Sequence, residues 1–173
     1  MKTFIITTVV TVCFNIAASA SIETSYIEPR KFTDLELTNR SKDTSAALFD
    51  REVKASKILH QAIGEGRTLE LTFTDVDLAG EILPFIGRHN NETRVIRSVY
   101  PPRIEFNYIL KDESGNEIAT GTEKLVDINF QIGIRRPSSS DIFYYEIDLL
   151  EEWAKKVLVE KAVKEKSIAY SSN

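Results

Sequence analysis

The spacing of apolar residues along this chain switches between a two-residue and a helical period, and each switch predicts an element. Ile22 and Tyr26, set among alternating polar residues between Ile22 and Glu28, predict a short strand that ends at Pro29. From about Thr44 to Ile63 the period becomes helical. Leu48, Phe49, Val53, Leu59, Ala62 and Ile63 fall on one side, Gly64 and Gly66 supply the stop, and Asp43, Thr44 or Ser45 is placed to cap the start. Strand alternation returns with Leu69, Leu71 and Phe73 against Thr68, Glu70, Thr72 and Thr74, so one face is buried and the other is wet or against a second layer. Ile104, Phe106, Tyr108 and Leu110 alternate again, Asp112 to Asn116 carries turn residues including Gly115, and Glu117 to Phe130 returns, which predicts a β-hairpin. Gly121 interrupts the second arm where the inward set shifts phase between Ile118 and the later Val126, Ile128 and Phe130, so a bulge is expected there. A last helix is predicted from about Asp141 to Val163 on the stripe Leu149, Leu150, Trp153, Val157 and Leu158.

Two stretches lack either period. Leu78 to Pro102 holds Gly80, Pro84, Gly87, Asn90, Asn91, Pro101 and Pro102; Gly133 to Asp141 holds Arg135, Arg136, Pro137 and three serines. Both read as long loops. With no repeat and no linker, one α+β domain from residue 21 to residue 173 is the natural count. Its element order is β-α-β-β-β-α. A strand-helix-strand unit makes its two strands parallel and the hairpin adds antiparallel partners, so a mixed, mostly antiparallel four-stranded sheet is expected, with two helices packed on one face.

The first twenty residues stand apart. Lys2, the apolar run Phe4 to Ala18 and the small triplet Ala18, Ser19, Ala20 have the layout of a secretory signal peptide, with cleavage expected after Ala20. The run contains Thr7, Thr8, Thr11 and Asn15 and falls short of the roughly 20 residues of a spanning helix, so no membrane span is expected after cleavage and a periplasmic or secreted location is. The single cysteine, Cys13, leaves with this segment, and the remaining domain of roughly 150 residues must stand on packing without disulfides. Net charge is −4, and losing Lys2 makes it more negative still. Nucleic acid is therefore a poor partner, since phosphate binding needs clustered positive charge. Lys155, Lys156, Lys161, Lys164 and Lys166 alternate with Glu151, Glu152, Glu160 and Glu165 as on a solvated helix face.

Candidate chemistry is sparse. Asp75 and Asp77 follow an apolar strand with Glu81 four residues on, a set that could serve a hard cation and, with His89, a metal-assisted hydrolase. The plainer reading of an Asp pair at a strand end is a turn device that accepts backbone N–H bonds. His60 and His89 are the only imidazoles, which excludes a three-histidine zinc site; His60, near a helix end, suits a dipole contact. Arg94, Arg97 and Arg103 flank Tyr100, Pro101 and Pro102 and could grip a small anionic ligand, or simply pair with the carboxylates and fix the loop. No nucleophile elbow, P-loop, dinucleotide fingerprint or HExxH occurs, and no cofactor is predicted.

Four ordered segments carry a family resemblance: Pro29, Phe32, Thr33 and Asp34; Asp75 through Gly80; Tyr100 through Ile104; and Tyr145, Glu146, Leu149, Leu150 and Trp153. With these the chain resembles exported Gram-negative bacterial proteins grouped as domain of unknown function 3016, although Ile147 stands where a lysine commonly follows the Tyr-Glu pair. The resemblance implies a periplasmic or secreted location and supplies no activity. It raises Asp75, Asp77 and Arg103 as candidates. The expectation is a non-enzymatic module that binds a partner such as an envelope protein through Asp75 to Glu81 and Arg94 to Arg103, with the metal-assisted hydrolase as its rival.

Overall fold

A computed structural model describes residues 19–38, 40–84, 92–132 and 142–171, with the backbone alone described over 160–171. The segment expected to be a leader, apart from its last two residues, together with His89 and the stretch 133–141 expected to be a loop, lies outside these. The elements run β1 (Ser21–Tyr26), a 3-10 turn (Pro29–Lys31), α1 (Lys42–Ala55), α2 (Lys57–Ile63), β2 (Thr68–Asp77), β3 (Glu81–Leu83), β4 (Thr93–Val95), β5 (Arg103–Lys111), β6 (Glu117–Val126) and α3 (Tyr144–Ser171). The class is α+β with a mixed sheet in the order β1-β2-β5-β6, β1 and β2 parallel and the other pairs antiparallel.

Alternation builds one core. Leu69, Leu71 and Phe73 of β2 and Ile104, Phe106, Tyr108 and Leu110 of β5 are buried in a single cluster with Phe49 and Val53 of α1, Leu59 and Ile63 of α2, and Leu150, Trp153 and Leu158 of α3. Aromatic rings knit it: Phe49 meets Phe73 and Phe143 edge-on, and Trp153 stands edge-on to both Phe106 and Tyr108. The opposite face of the sheet is polar, with Thr122 bonded to Asn107 at 2.7 Å and Lys124 to Glu105 at 2.7 Å.

Four expectations need correction. The single first helix is two, because Ser56 adopts extended angles (φ −66, ψ 111), its N–H donates to Val53 O, and its hydroxyl accepts from Leu59 N–H as the cap of α2. The same hydroxyl donates to Glu151 of α3 at 2.7 Å, so the break is tied to a third helix. The start of α1 is capped by Ser41, whose hydroxyl accepts from Thr44 N–H, rather than by the residues after it. The bulge expected at Gly121 is absent. Gly121 pairs in register with Tyr108, and a Cβ added there would lie 2.8 Å from the Tyr108 ring, so the glycine makes room for the ring. The register shift falls at Leu110/Lys111 instead. β6 ends at Val126, and Val126 and Ile128 are exposed, not inward.

Candidate functional site

A bulge in β2 sets the site. Phe73 pairs with Phe106 and Asp75 with Glu105, so two steps along β2 answer one along β5 and Thr74 is the extra residue. A one-residue insertion moves every later side chain to the other face. Burial accordingly passes from Leu69, Leu71 and Phe73 to Val76 and Leu78, and Asp75 and Asp77 turn away from the core. Nothing in the period of this strand announced the shift.

Beside the end of β2, the chain after the 3-10 turn takes over the place that β1 vacates. Asp34 N–H donates to Val76 O at 3.1 Å and Leu78 N–H to Asp34 O at 2.9 Å, a parallel bridge opposite Asp77. Within the stretch expected to be one long loop, β3 and β4 pair as an antiparallel ribbon, Glu81 with Val95 and Leu83 with Thr93. Gly80 admits this ribbon: it has φ +81, and a Cβ there would lie 2.2 Å from Val95 O. Its N–H donates to Tyr100 O at 3.0 Å, which holds the lead-in to β5 against the same end.

The ribbon delivers Arg94 to Asp34 in a bidentate pair, with Nη1 donating to Oδ2 at 2.9 Å and Nη2 to Oδ1 at 2.8 Å. Arg94 Nη2 also donates to Glu36 O at 2.7 Å, and the guanidinium side chain is only 14% exposed. From the other side, α3 presents Glu146, 2% exposed, whose Oε1 accepts from Ala79 N–H at 2.7 Å. Burial pushes the Glu146 carboxyl up to about 7, against the opposing pull of the Ala79 and its own backbone N–H groups and of Arg94; nearby Asp34 adds to the rise. Asp77 is also raised, first by burial and then by the Asp34 charge, with Arg103 partly offsetting this. One clamp thus ties the segment after the 3-10 turn, the β2–β3 connection, β4 and the first turn of α3.

The residues singled out from the sequence sit around this clamp, mostly in pairs of their own. Asp75 accepts from Thr33 N–H at 2.6 Å and Thr33 Oγ1 at 2.7 Å, so from within β2 it ties down a segment 42 positions away and does not fix a turn of its own. Asp77 is opposite Arg103 across the β2–β5 ladder. Arg97 Nη1 is 2.9 Å from Glu81 Oε1, close enough for an ion pair although not aligned as a hydrogen bond. Among the described residues no three His, Cys, Asp or Glu side chains are grouped to hold a metal ion. His60 places its ring nitrogens at Ala20 O (3.1 Å) and Lys54 O (2.9 Å), fastening the start of β1 to the end of α1 rather than meeting the helix dipole alone. Asp34 and Glu146, the two clamp carboxylates, carried no chemical motif; their only signal was membership of the recurring segments.

Exposed apolar residues gather on the segments at this end of the sheet. Ile96, Val99 and Tyr100 lead into β5, Val126 closes β6 with Ile128 and Ile132 after it, and Ile142 leads into α3; all seven are exposed. Asp127 N–H donates to Pro102 O at 3.4 Å and Arg103 pairs with Val126, so these segments lie side by side at the end of the sheet where β2 also stops. Only Ile27 and Val159 complete the exposed large hydrophobics among the described residues.

Among the described residues no helix is long and apolar enough to cross a membrane. A search of curated proteins gave no match. The model of one family, described as a protein of unknown function (DUF3016), matches residues 20–156. Because that span takes in every described strand, α1, α2 and the part of α3 up to Lys156, the chain belongs to the DUF3016 family.

Proposed function

We propose that this protein is exported and acts in the periplasm or outside the cell as a non-enzymatic binding module, gripping a protein partner with the apolar rim around the Asp34–Arg94 clamp. The observation that carries this reading is the concentration of exposed large hydrophobics at one end of the sheet, with Val99 70%, Ile128 71% and Ile132 79% exposed. Scattered apolar residues are ordinary on a surface, whereas a set gathered at one end of a sheet and edged by charge supports a binding site. The clamp supplies rigidity: its charges are spent on one another, so it holds the rim in place and leaves specificity to shape and apolar contact. Export is supported by the leader-like segment ending at Ala20 and by a family match that starts at residue 20.

The test is photo-crosslinking in living cells with a reactive amino acid at Val99 or Ile128, and at Thr122 on the polar face, away from β1, as the control. A discrete adduct from the two rim positions and none from Thr122 is the expected result. Equal adducts from all three, or none from the rim, would refute the reading. Export is checked separately by the mature N-terminus, expected at Ser21.

A further inference from the structure

A second surface lies along β1, the terminal strand of the order β1-β2-β5-β6. In a parallel ladder alternate residues bond to the neighbouring strand. Here Ser21 N–H donates to Arg67 O at 2.9 Å and Ile27 N–H to Phe73 O at 3.0 Å, so the odd positions face β2 and the N–H groups of Ile22, Thr24 and Tyr26 point away from the sheet. Edge strands are usually blunted by charge, proline or cover. β6, the other edge, carries Glu117, Glu123 and Lys124, whereas β1 has Glu23 alone.

What lies beside that open edge is a cleft. α1 runs alongside β1, and between them is a space of about 370 Å³ lined by Thr24, Tyr26, Ala46, Ala47, Asp50 and Lys54 among others. Two adjacent alanines make the helix wall shallow. The Tyr26 hydroxyl is buried there and, with Thr24 and Asp50 as its polar neighbours, makes no aligned hydrogen bond. Asp50 is held by Lys54 at 3.0 Å and receives a hydrogen bond from the Thr24 hydroxyl, so the polar side of the cleft is ordered in advance.

We propose that the β1–α1 cleft binds an extended peptide segment of a partner protein, added as a strand to the free edge of β1 with an apolar side chain seated over Ala46 and Ala47. Main-chain bonds to Ile22, Thr24 and Tyr26 provide the affinity of such strand addition, and the pocket for alternate side chains provides its selectivity. A space of a few hundred Å³ suits a few side chains of one strand and not a second domain. In the lining Asp43 is paired with Arg30 at 2.7 Å and Asp50 with Lys54 at 3.0 Å, so its charges are matched and the apolar side chain seated over the alanines selects the segment. The Tyr26 hydroxyl donates to one of its carbonyls.

The experiment is selection of a random heptapeptide library on the purified protein, followed by amide-exchange NMR with the selected synthetic peptide. The expected peptides alternate apolar and polar residues, and they slow exchange at Ile22, Thr24 and Tyr26 while leaving the already bonded Glu23 and Ser25 unchanged. N-methylation of the peptide amides that face β1 weakens binding at least tenfold, and methylation of the alternate set does not. Ala47→Tyr, at an exposed position of α1, fills the cleft and also weakens binding at least tenfold, yet leaves the rim crosslinks at Val99 and Ile128 intact. Thr24→Pro removes one edge donor, and should it fail to fold, Ala47→Tyr still decides. No enriched peptide, binding unchanged by Ala47→Tyr, protection away from β1, or an edge occupied by a second copy in a concentration-dependent dimer would overturn the proposal.

Discussion

Glu146→Gln isolates the energetic cost of the clamp. Glu146 is buried, and its carboxyl is raised from an ordinary 4.5 to about 7 chiefly because burial disfavours the charge. The folded protein therefore holds this proton more tightly than the unfolded chain does. The contribution to stability is complete below pH 4.5 and is lost as the pH rises through 7. At about 1.4 kcal/mol for each pH unit between the two values, the loss is roughly 3 kcal/mol. Glutamine has the same shape and keeps an oxygen for Ala79 N–H, but it does not titrate. Urea unfolding followed by the single tryptophan, Trp153, at pH values from 4 to 8 gives the stability of each form. The difference, variant minus wild type, is expected to rise by roughly 3 kcal/mol between pH 4.5 and 8, equivalent to about 6–12 °C in Tm for a domain of this size. Taking the difference cancels the other carboxylates. Parallel curves across that window would refute the assignment of the raised carboxyl to Glu146.

Arg94→Ala leaves Asp34 without its bidentate partner in a site where the Asp34 side chain is 25% exposed, so a loss of about 2–4 kcal/mol is expected in the same urea assay. The variant also removes a charge that lowers Glu146, so the midpoint of the pH dependence moves upward, and an unmoved midpoint would show that the two groups do not interact. Gly121→Ala drives a methyl group into the buried Tyr108 ring and is expected to cost about 1–3 kcal/mol by thermal melt, with near-neutral behaviour ruling out the close approach. Ser56→Ala removes the α2 cap and the bond to Glu151 together, for a loss of about 1–2 kcal/mol. Less than half of that would mean the break between α1 and α2 does not depend on the serine.

How far the fold was readable follows from where each piece of information resides. The strands of Leu69 to Phe73 and Ile104 to Leu110, the Asp112–Asn116 turn and the stripe of α3 are local patterns, and they stand where the periods put them. The turn is self-sufficient: Asp112 accepts from the Ser114 and Asn116 N–H groups and from the Asn116 side chain. Ser56 was hidden because helical spacing of Val53, Leu59 and Ile63 continues across a break made by one hydroxyl. The β3–β4 ribbon consists of three-residue strands, too short to show alternation among glycines and prolines. Thr74 and the Asp34–Arg94 pair depend on partners 30 to 60 positions away, which no window along the chain contains. The acid and arginine residues were thus recognisable as a group, but the partner of each was not; Asp34 and Glu146 became visible only when the distant segments met.

A buried carboxyl that disfavours folding at neutral pH would be disadvantageous if leucine could replace it. Leucine would remove the roughly 3 kcal/mol of charge burial, but it would also leave the Ala79 N–H buried without an acceptor, at a cost of about 1–3 kcal/mol. That N–H lies where β2 turns into the ribbon carrying Arg94, so an unpaired amide there loosens the junction that sets Arg94 against Asp34. Glutamine escapes both penalties. The comparison of Glu146→Gln with Glu146→Leu therefore separates charge from hydrogen bond. If the acceptor is what the site requires, the glutamine variant gains stability at pH 8 while keeping the exchange protection of Ala79 and the ribbon, and the leucine variant loses that protection at every pH. Loss of protection in both variants would instead make the carboxylate charge, acting toward Arg94, the element that holds the apolar rim in place.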